Sequence, residues 1–126
     1  MKTLQNPIAL YGFLKPKPEH SAEVRDALIA LVEPTRAEEG NLEYHIHEQP
    51  DGRFFLYEVW RSQEDLDLHV QYPPLREFLE KAEELLQEAP EAYFDTMLSP
   101  YPMEERLPEA LHGYFDTKLS PYPAAA

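Results

Sequence analysis

The sequence predicts an α+β fold in which one four-stranded antiparallel sheet carries helices on a single face. Three observations lead to this prediction. Strand-like and helix-like segments follow one another in the order β-α-β-β-α-β. Prolines and isolated glycines separate the segments. The chain has 126 residues, which is enough for one domain with a proper core. This order of elements is that of the split βαβ, or ferredoxin-like, arrangement.

The first strand and the first helix are predicted before Gly40. The apolar run IALYGFL (8–14) is flanked by prolines and predicts a strand. A helix is predicted from about Glu19 to Ala37, because apolar residues recur there at the spacing of one helix face. That face comprises Val24, Ala27, Leu28, Leu31 and Val32. Gly40 is predicted to end the helix as its C-cap.

Residues 41–61 predict a β-hairpin that turns at residues 50–52. The stretches on either side alternate in polarity, and Gly52 suits the left-handed position of a three-residue loop. Placing Gln49 opposite Arg53 fixes the register. One face of the hairpin then carries Leu42, Tyr44, Ile46, Leu56, Glu58 and Trp60. A register shift of one residue would exchange this face with the other one.

Two helices and a last strand follow the hairpin. Ser62 and Asp65 form a capping box, so a short helix is predicted from Gln63, with Leu66 and His69 on one face. After the break at Pro73 and Pro74, a second helix is predicted over about residues 75–87. The segment EAYFDTMLS (91–99) then predicts the last strand of the sheet.

The C-terminal part of the chain contains a repeat. YFDTMLSPYP (93–102) returns as YFDTKLSPYP (114–123), identical at nine of ten positions. We therefore divide the chain into a domain over residues 1–102 and a C-terminal extension over residues 103–126 with a second copy of the last strand. Two copies are too few for a solenoid. The second copy is either a strand that pairs with a sheet edge, of its own chain or a neighbour's, or a loosely ordered tail.

Composition and charge exclude several classes of function. A net charge of -13 without a basic stripe argues against a nucleic-acid partner. No apolar run approaches the length of a membrane span, about 18 residues. The N-terminus lacks a signal-peptide apolar region, so we expect a cytoplasmic protein.

The sequence predicts neither a metal site nor a cofactor. The absence of cysteine excludes disulfides and thiolate ligands. Glu43, His45 and His47 alternate on one strand face, but a strand alone supplies no closed metal site. The four glycines are isolated, so no phosphate-binding loop is present.

Three short motifs, in a fixed order, carry a resemblance to a known family. They are TRxExGxLxY (35–44), YExWxS (57–62) and LxxHxxxP (66–73), followed by Phe78. Together they resemble the antibiotic biosynthesis monooxygenase family, which includes small quinol monooxygenases, over about residues 7–100. The resemblance implies a homodimeric α+β barrel in which the sheets of two subunits face each other. Two positions depart from the family pattern: Glu39 replaces the proline of a Glu-Pro-Gly turn, and Pro74 replaces a histidine.

The resemblance implies oxidation of a quinol-like or polycyclic aromatic substrate by O2, without metal or flavin. Such a reaction requires an apolar pocket, a base and a donor that stabilises the oxyanion. We assign His69 as the general base, Glu58 as the group that orients it and Tyr44 as the oxyanion donor. Substrate binding is assigned to Trp60, Leu56 and Leu66.

Other interpretations of these residues stay open. His69 and Glu58 could serve equally in an isomerase or another proton-transfer enzyme that acts on a small carbonyl compound. The pocket could also belong to a non-catalytic module that binds a small aromatic molecule. Each residue has a structural interpretation as well: Tyr44 and Glu58 as a cross-strand hydrogen bond, His69 as a satisfied buried histidine, and Trp60 as a core residue.

Overall fold

The computed structural model of the protein describes residues 3–4, 7–99 and 101–102. Its strands are β1 (Thr3–Leu4), β2 (Ile8–Leu14), β3 (Asn41–Glu48), β4 (Phe54–Trp60), β5 (Glu91–Thr96) and β6 (Tyr101–Pro102). Its α-helices are α1 (Ser21–Arg36), α2 (Gln63–Gln71) and α3 (Pro73–Leu85), and the 3-10 turn Pro18–His20 precedes α1. In this described part of the chain, no helix combines the length and the apolar character needed to cross a membrane.

Four strands form one antiparallel sheet in the order β3-β4-β2-β5. The two central strands are the first and third of the four along the chain, and the connections through α1 and through α2 and α3 lead to the two edges. The predicted ferredoxin-like α+β fold is therefore confirmed.

The core lies between the helices and one face of the sheet. From α1 it receives Val24, Leu28 and Leu31, and from α3 it receives Phe78, Ala82 and Leu85. Leu14 and Phe54 supply the sheet side of the same cluster. Burial of each large apolar side chain contributes about 1.5–3 kcal/mol to folding. The apolar stripes seen in the sequence thus fix which face of each helix turns inward.

The predicted hairpin register is confirmed along most of its length. Tyr44 lies opposite Glu58 and Ile46 opposite Leu56. The backbone N–H of Gln49 donates to the carbonyl of Arg53, and Gly52 has a φ of 91°. A bulge between Asn41 and Glu43 changes the far end, so that Trp60 faces Asn41 rather than Leu42.

The two helices after the hairpin begin next to a capping serine and at a proline, respectively. Ser62 Oγ accepts a hydrogen bond from the backbone N–H of Asp65 at 3.1 Å, so α2 begins at Gln63 as predicted. Helix α3 begins at Pro73, about two residues earlier than predicted. A proline at the first helical position loses no hydrogen bond, because the first backbone N–H groups of a helix have no intrahelical partner.

Gly40 does not cap α1, contrary to the prediction. The helix ends at Arg36 with Ala37 as its C-cap, and the N–H of Ala37 bonds to the carbonyl of Glu33. Gly40 is instead buried against Asp65, whose side chain occupies the space that a Cβ on residue 40 would need. A glycine is therefore required here so that the connection after α1 can approach the first turn of α2.

The last strand is shorter than predicted and forms an edge of the sheet. All six residues of β5 are exposed, and the strand ends at Thr96. The chain then reaches the opposite edge, where the Tyr101 hydroxyl donates to Glu43 Oε1 on β3 at 2.7 Å, and β6 pairs with β1. The predicted extension over residues 103–126, with the second copy of the repeat, lies outside the described residues.

Gly40→Ala should lower the free energy of unfolding by about 1–3 kcal/mol, because the new methyl group overlaps with the Asp65 side chain. The measurement is urea unfolding at neutral pH. Gly52→Ala is the control: it introduces strain only through its positive φ, since no atom lies within 4 Å of the new Cβ. A smaller loss of stability in Gly40→Ala than in Gly52→Ala would contradict the steric role of Gly40.

Candidate active site

A cavity of about 280 Å³ lies between the helix-facing side of the sheet and helices α2 and α3. Its lining is largely apolar and includes Leu10, Leu56, Leu66, Leu75 and Phe78. The exposed apolar residues of the lining are Val70, Leu79 and Phe94, which place the opening between α2, α3 and β5. Three buried polar side chains, those of Tyr44, Glu58 and His69, lie in the wall of this otherwise apolar space.

His69 lies on the inward face of α2, where 3% of its surface is exposed. Its Nδ1 is 2.7 Å from Glu38 Oε2. An ionised carboxylate only accepts hydrogen bonds, so this contact places a proton on Nδ1. In the neutral ring, Nε2 is then the nitrogen that can accept a proton.

Glu38 is a site residue that the sequence analysis did not identify. It belongs to the connection between α1 and β3, and its side chain is 11% exposed. Glu38 and His69 both line a second cavity of about 290 Å³ on the side of α1 and Tyr72. Glu38 belongs to the TRxExGxLxY motif, but its spacing of 31 residues from His69 gives no sign that the two side chains meet.

Glu58 is buried in the same wall, and its main contact is with Trp60. The Trp60 Nε1–H donates to Glu58 Oε1 at 3.0 Å. The same oxygen lies 4.0 Å from His69 Nε2, which is too far for a hydrogen bond. Burial raises the pKa of Glu58 above its usual value, although the hydrogen bond from Trp60 and the nearby His69 act in the opposite direction. The hydrogen bond that orients His69 is therefore the one that its Nδ1–H donates to Glu38. The sequence analysis had assigned this role to Glu58.

Tyr44 and Trp60 enclose the imidazole from two sides. The Trp60 ring is 4.5 Å from the His69 ring, centre to centre, at an interplanar angle of 33°. The Tyr44 ring meets it edge-on at 6.1 Å. Burial, together with the charge of Glu58, raises the pKa of Tyr44, so its hydroxyl stays protonated and can donate a hydrogen bond.

Five of the six predicted site residues line the cavity, namely Tyr44, Leu56, Glu58, Leu66 and His69. The sixth, Trp60, is fully buried and is not part of the cavity lining. Its ring supports the imidazole, and its N–H holds the carboxyl of Glu58.

The acidic and histidine residues on the other face of β3 do not converge on a common point. His45 Nε2 is 2.6 Å from Glu43 Oε2, and the other oxygen of Glu43 accepts from Tyr101. His47 packs against the Phe55 ring. Over residues 3–4, 7–99 and 101–102, no group of three or more histidine or acidic side chains has the geometry of a metal site.

The chain is similar to several bacterial proteins. It is 36% identical over 88 residues to the protein sll1783 of Synechocystis sp., which is 68% of this chain but only 60% of that relative's length. It is 33% identical over 84 residues to "Putative monooxygenase Rv0793" of Mycobacterium tuberculosis, which is 66% of this chain and 83% of the relative.

Solved structures show the same architecture. The crystal structure of PA3566 from Pseudomonas aeruginosa superimposes with a TM-score of 0.71 at 28% identity, over 78% of this chain and 100% of that one. The structure of Rv0793 gives a TM-score of 0.71 at 31% identity, over 74% and 96% of the two chains. The family profile described as "Antibiotic biosynthesis monooxygenase" matches residues 7–91, a range that contains Glu38, Tyr44, Glu58 and His69. This chain therefore belongs to the antibiotic biosynthesis monooxygenase family.

Proposed function

We propose that the protein is a monooxygenase that oxidises a quinol-like or polycyclic aromatic substrate with O2 and needs no cofactor. The observation that carries the proposal is the hydrogen bond between His69 Nδ1 and Glu38. It holds the imidazole with Nε2 available as a base at the wall of an apolar cavity. Membership of the family supports the choice of O2 as the second reactant.

The reaction needs only proton transfer from the protein. On an anthrone-type substrate, His69 Nε2 takes a proton from the CH2 group opposite the carbonyl in the central ring, and the negative charge is shared with the carbonyl oxygen. The resulting carbanion combines with O2, and return of the proton to the distal oxygen gives a hydroperoxide. Loss of water breaks the O–O and remaining C–H bonds and leaves a carbonyl group. One oxygen atom stays in the product, the other leaves in water, and O2 takes up the four electrons that the carbon loses.

Three side chains assist this transfer. The carboxylate of Glu38 orients His69 and stabilises the imidazolium that forms. The protonated hydroxyl of Tyr44 donates to the oxyanion that develops on the substrate. Burial raises the pKa of Glu58, so its carboxyl beside the cavity holds its proton to higher pH than an exposed glutamate does.

The cavity and the charge of the chain support the choice of substrate class. Its volume of about 280 Å³ lies at the lower end of the range for small-molecule pockets. Leu56 and Leu66 present apolar surface to the substrate. A net charge of -13 disfavours polyanionic compounds. These features favour a compact, uncharged aromatic molecule.

A second candidate function is proton transfer without oxygen. The Glu38–His69 pair would serve equally in an isomerase or a related enzyme that acts on a small carbonyl compound. The third possibility, a non-catalytic module that binds a small aromatic molecule, would use the cavity alone. Oxygen uptake distinguishes the first function from the other two.

We also propose that the protein forms a homodimer through the face of the sheet that carries no helices. This face is aromatic: Tyr11 stacks on Tyr93 at 5.0 Å, and Phe13 and Phe55 meet at 5.3 Å. In the single chain Tyr93 is exposed, and Tyr11, Phe13 and Phe55 each keep part of their surface accessible. An aromatic surface of this kind is typical of protein interfaces.

His69→Ala should lower oxygen consumption at least tenfold, which corresponds to about 1.4 kcal/mol of barrier. The measurement is O2 uptake by the purified, metal-free protein with a panel of quinols and anthrones. Uptake that the variant retains in full would remove His69 from the chemistry. Absence of uptake with every substrate would favour the isomerase or the binding module.

In the same assay, Glu38→Gln should lower kcat and leave KM within about twofold, because Glu38 orients the base but does not line the substrate cavity. Glu39→Gln is the matched control: it removes the same charge from the neighbouring side chain, which is 87% exposed. Equal values of kcat in the two variants would show that the contact with His69 is irrelevant to the rate.

The raised pKa of Glu58 gives a pH dependence of stability. In the folded protein, Glu58 holds its proton at pH values where the unfolded chain has released it. The contribution of the protonated carboxyl to the free energy of unfolding is therefore present at low pH and lost as pH rises above about 4.5. The unfolding free energy of the native protein, measured in urea, should therefore fall relative to that of Glu58→Gln as pH increases. Glu48→Gln is the control of opposite sign, because the hydrogen bond from Arg25 lowers the pKa of Glu48. A difference between native protein and Glu58→Gln that does not change with pH would contradict the assignment.

Phe55→Asp should raise the dissociation constant of the dimer at least tenfold, because it places a charge in the aromatic face. The measurement is sedimentation equilibrium over a concentration series. Leu68→Asp, at an exposed position on α2, is the control and should leave the constant unchanged. A native protein that sediments as a monomer at micromolar concentration would refute this interface.

A further inference from the structure

The repeat gives the chain two copies of the sequence that forms one edge strand. The first copy, residues 93–102, supplies most of β5 and all of β6. The second copy, residues 114–123, differs from it only by lysine in place of Met97. The contacts of the first copy therefore show which interactions the second copy is also equipped to make.

The contacts made by the first copy depend on residues that the second copy retains. Tyr93 stacks on Tyr11 of β2. Phe94 lines the cavity. The Tyr101 hydroxyl donates to Glu43 Oε1 at 2.7 Å. The equivalent residues of the second copy are again tyrosine, phenylalanine and tyrosine, at positions 114, 115 and 122.

The first copy is also held weakly enough to be replaced. Among the strands that the structure describes, β5 pairs only with β2, and all six of its residues are exposed. Strands with one neighbour and little buried surface open at lower free energy than the core of a domain. The hydrogen bonds of the β2–β5 ladder come from the backbone, so any sequence that fits the edge can make them.

We propose that residues 114–123 can replace residues 93–102 in the same chain, so that residues 114–117 pair with β2 in place of residues 93–96. The two copies then exchange at one edge of the sheet. The second copy also fits sterically at the position opposite Gly12, which Ala92 of β5 occupies. A Cβ on Gly12 would lie 2.5 Å from the Glu91 carbonyl, so the strand here passes close to a residue without a side chain. The second copy brings a glycine of its own, Gly113, in place of Ala92.

The first copy is the preferred occupant. Gln87 is tied to the start of the domain by hydrogen bonds to the carbonyls of Lys15 and Pro16. Exchange lengthens the loop after Gln87 from residues 88–90 to residues 88–111. Since the probability of closing a loop falls as about the 3/2 power of its length, this change disfavours the second copy roughly twentyfold. The hydrogen bond from Tyr93 to Glu91 is lost as well, because His112 stands in place of Glu91.

Exchange would alter the cavity. Glu91, Ala92 and Phe94 belong to its lining. In the exchanged state the phenylalanine is kept and a methyl group is lost at Gly113. The carboxylate of Glu91, which accepts a hydrogen bond from Tyr93 on the helix-free face, is replaced by the imidazole of His112. The two states would therefore differ by one methyl group at the cavity wall and by one charge on the helix-free face, and not in the buried residues around His69.

The experiment uses disulfide trapping, for which the natural chain has no competing cysteine. Ala9 lies directly opposite Asp95 in the β2–β5 register. The full-length Ala9→Cys protein is combined with Asp95→Cys as the positive control or with Asp116→Cys as the test. Thr117→Cys is the register control, because its equivalent, Thr96, lies opposite Ile8. Oxidation rates are followed by non-reducing electrophoresis and peptide mass spectrometry at low micromolar concentration.

We expect the Asp116→Cys protein to form a disulfide within one chain at least tenfold faster than the Thr117→Cys protein. Adding Tyr93→Ala, which weakens only the first copy, should increase the rate of the Asp116→Cys disulfide severalfold. Equal rates at positions 116 and 117 would overturn the proposal, and so would a rate that Tyr93→Ala leaves unchanged. Disulfides found only between chains would assign the second copy to another molecule and overturn exchange within one chain.

A second cysteine pair covers the case in which Ala9→Cys does not fold. Phe13 lies opposite Glu91 at the other end of the same ladder. Phe13→Cys with Glu91→Cys is then the positive control, and Phe13→Cys with His112→Cys is the test. Failure of the His112→Cys protein to form an intrachain disulfide, while the Glu91→Cys protein does so, would also overturn the proposal.

Discussion

The hydrogen bond between Glu38 and His69 joins two parts of the chain that are 31 residues apart and fixes the geometry of the site. Loss of one partner from such a buried pair leaves the other unsatisfied, which costs about 1–3 kcal/mol or more when a charge is involved. To form the bond, the connection after α1 must approach α2. This approach explains why residue 40 is a glycine in contact with Asp65, whose carboxylate is held in place by hydrogen bonds from Arg61 and Ser62.

Local patterns predicted the fold well because they depend on neighbours in the sequence. Alternation of polarity and the glycine in the turn were enough to place Tyr44 opposite Glu58, and the capping serine placed the start of α2. The bulge at Asn41 was not predictable, since it has no residue signature of its own. Glu38 was missed because its role depends on a contact between distant segments. The family resemblance included Glu38 in a motif but did not indicate its contact with His69.

The two faces of the sheet have different chemistry because the strands alternate. On the helix-facing side, Glu58 and Trp60 point into the core, and their hydrogen bond satisfies two polar groups that would otherwise be buried without partners. The intervening residues of the strands, among them Tyr11 and Phe55, form the aromatic side. A single set of strands therefore separates the buried chemistry from the surface proposed for assembly, so that a change on one face need not disturb the other.

The departure from the family pattern at Pro74 can be located in the structure. Pro74 lines the second cavity, together with Glu38 and His69, and is not part of the lining of the substrate cavity. A histidine at this position would therefore lie on the Glu38 side of His69. Its replacement by proline changes the surroundings of the carboxylate that orients the base, while the wall formed by Tyr44, Glu58 and His69 is unaffected. If His69 is the base, as proposed, the departure bears on how a proton leaves His69 and not on which group takes it from the substrate.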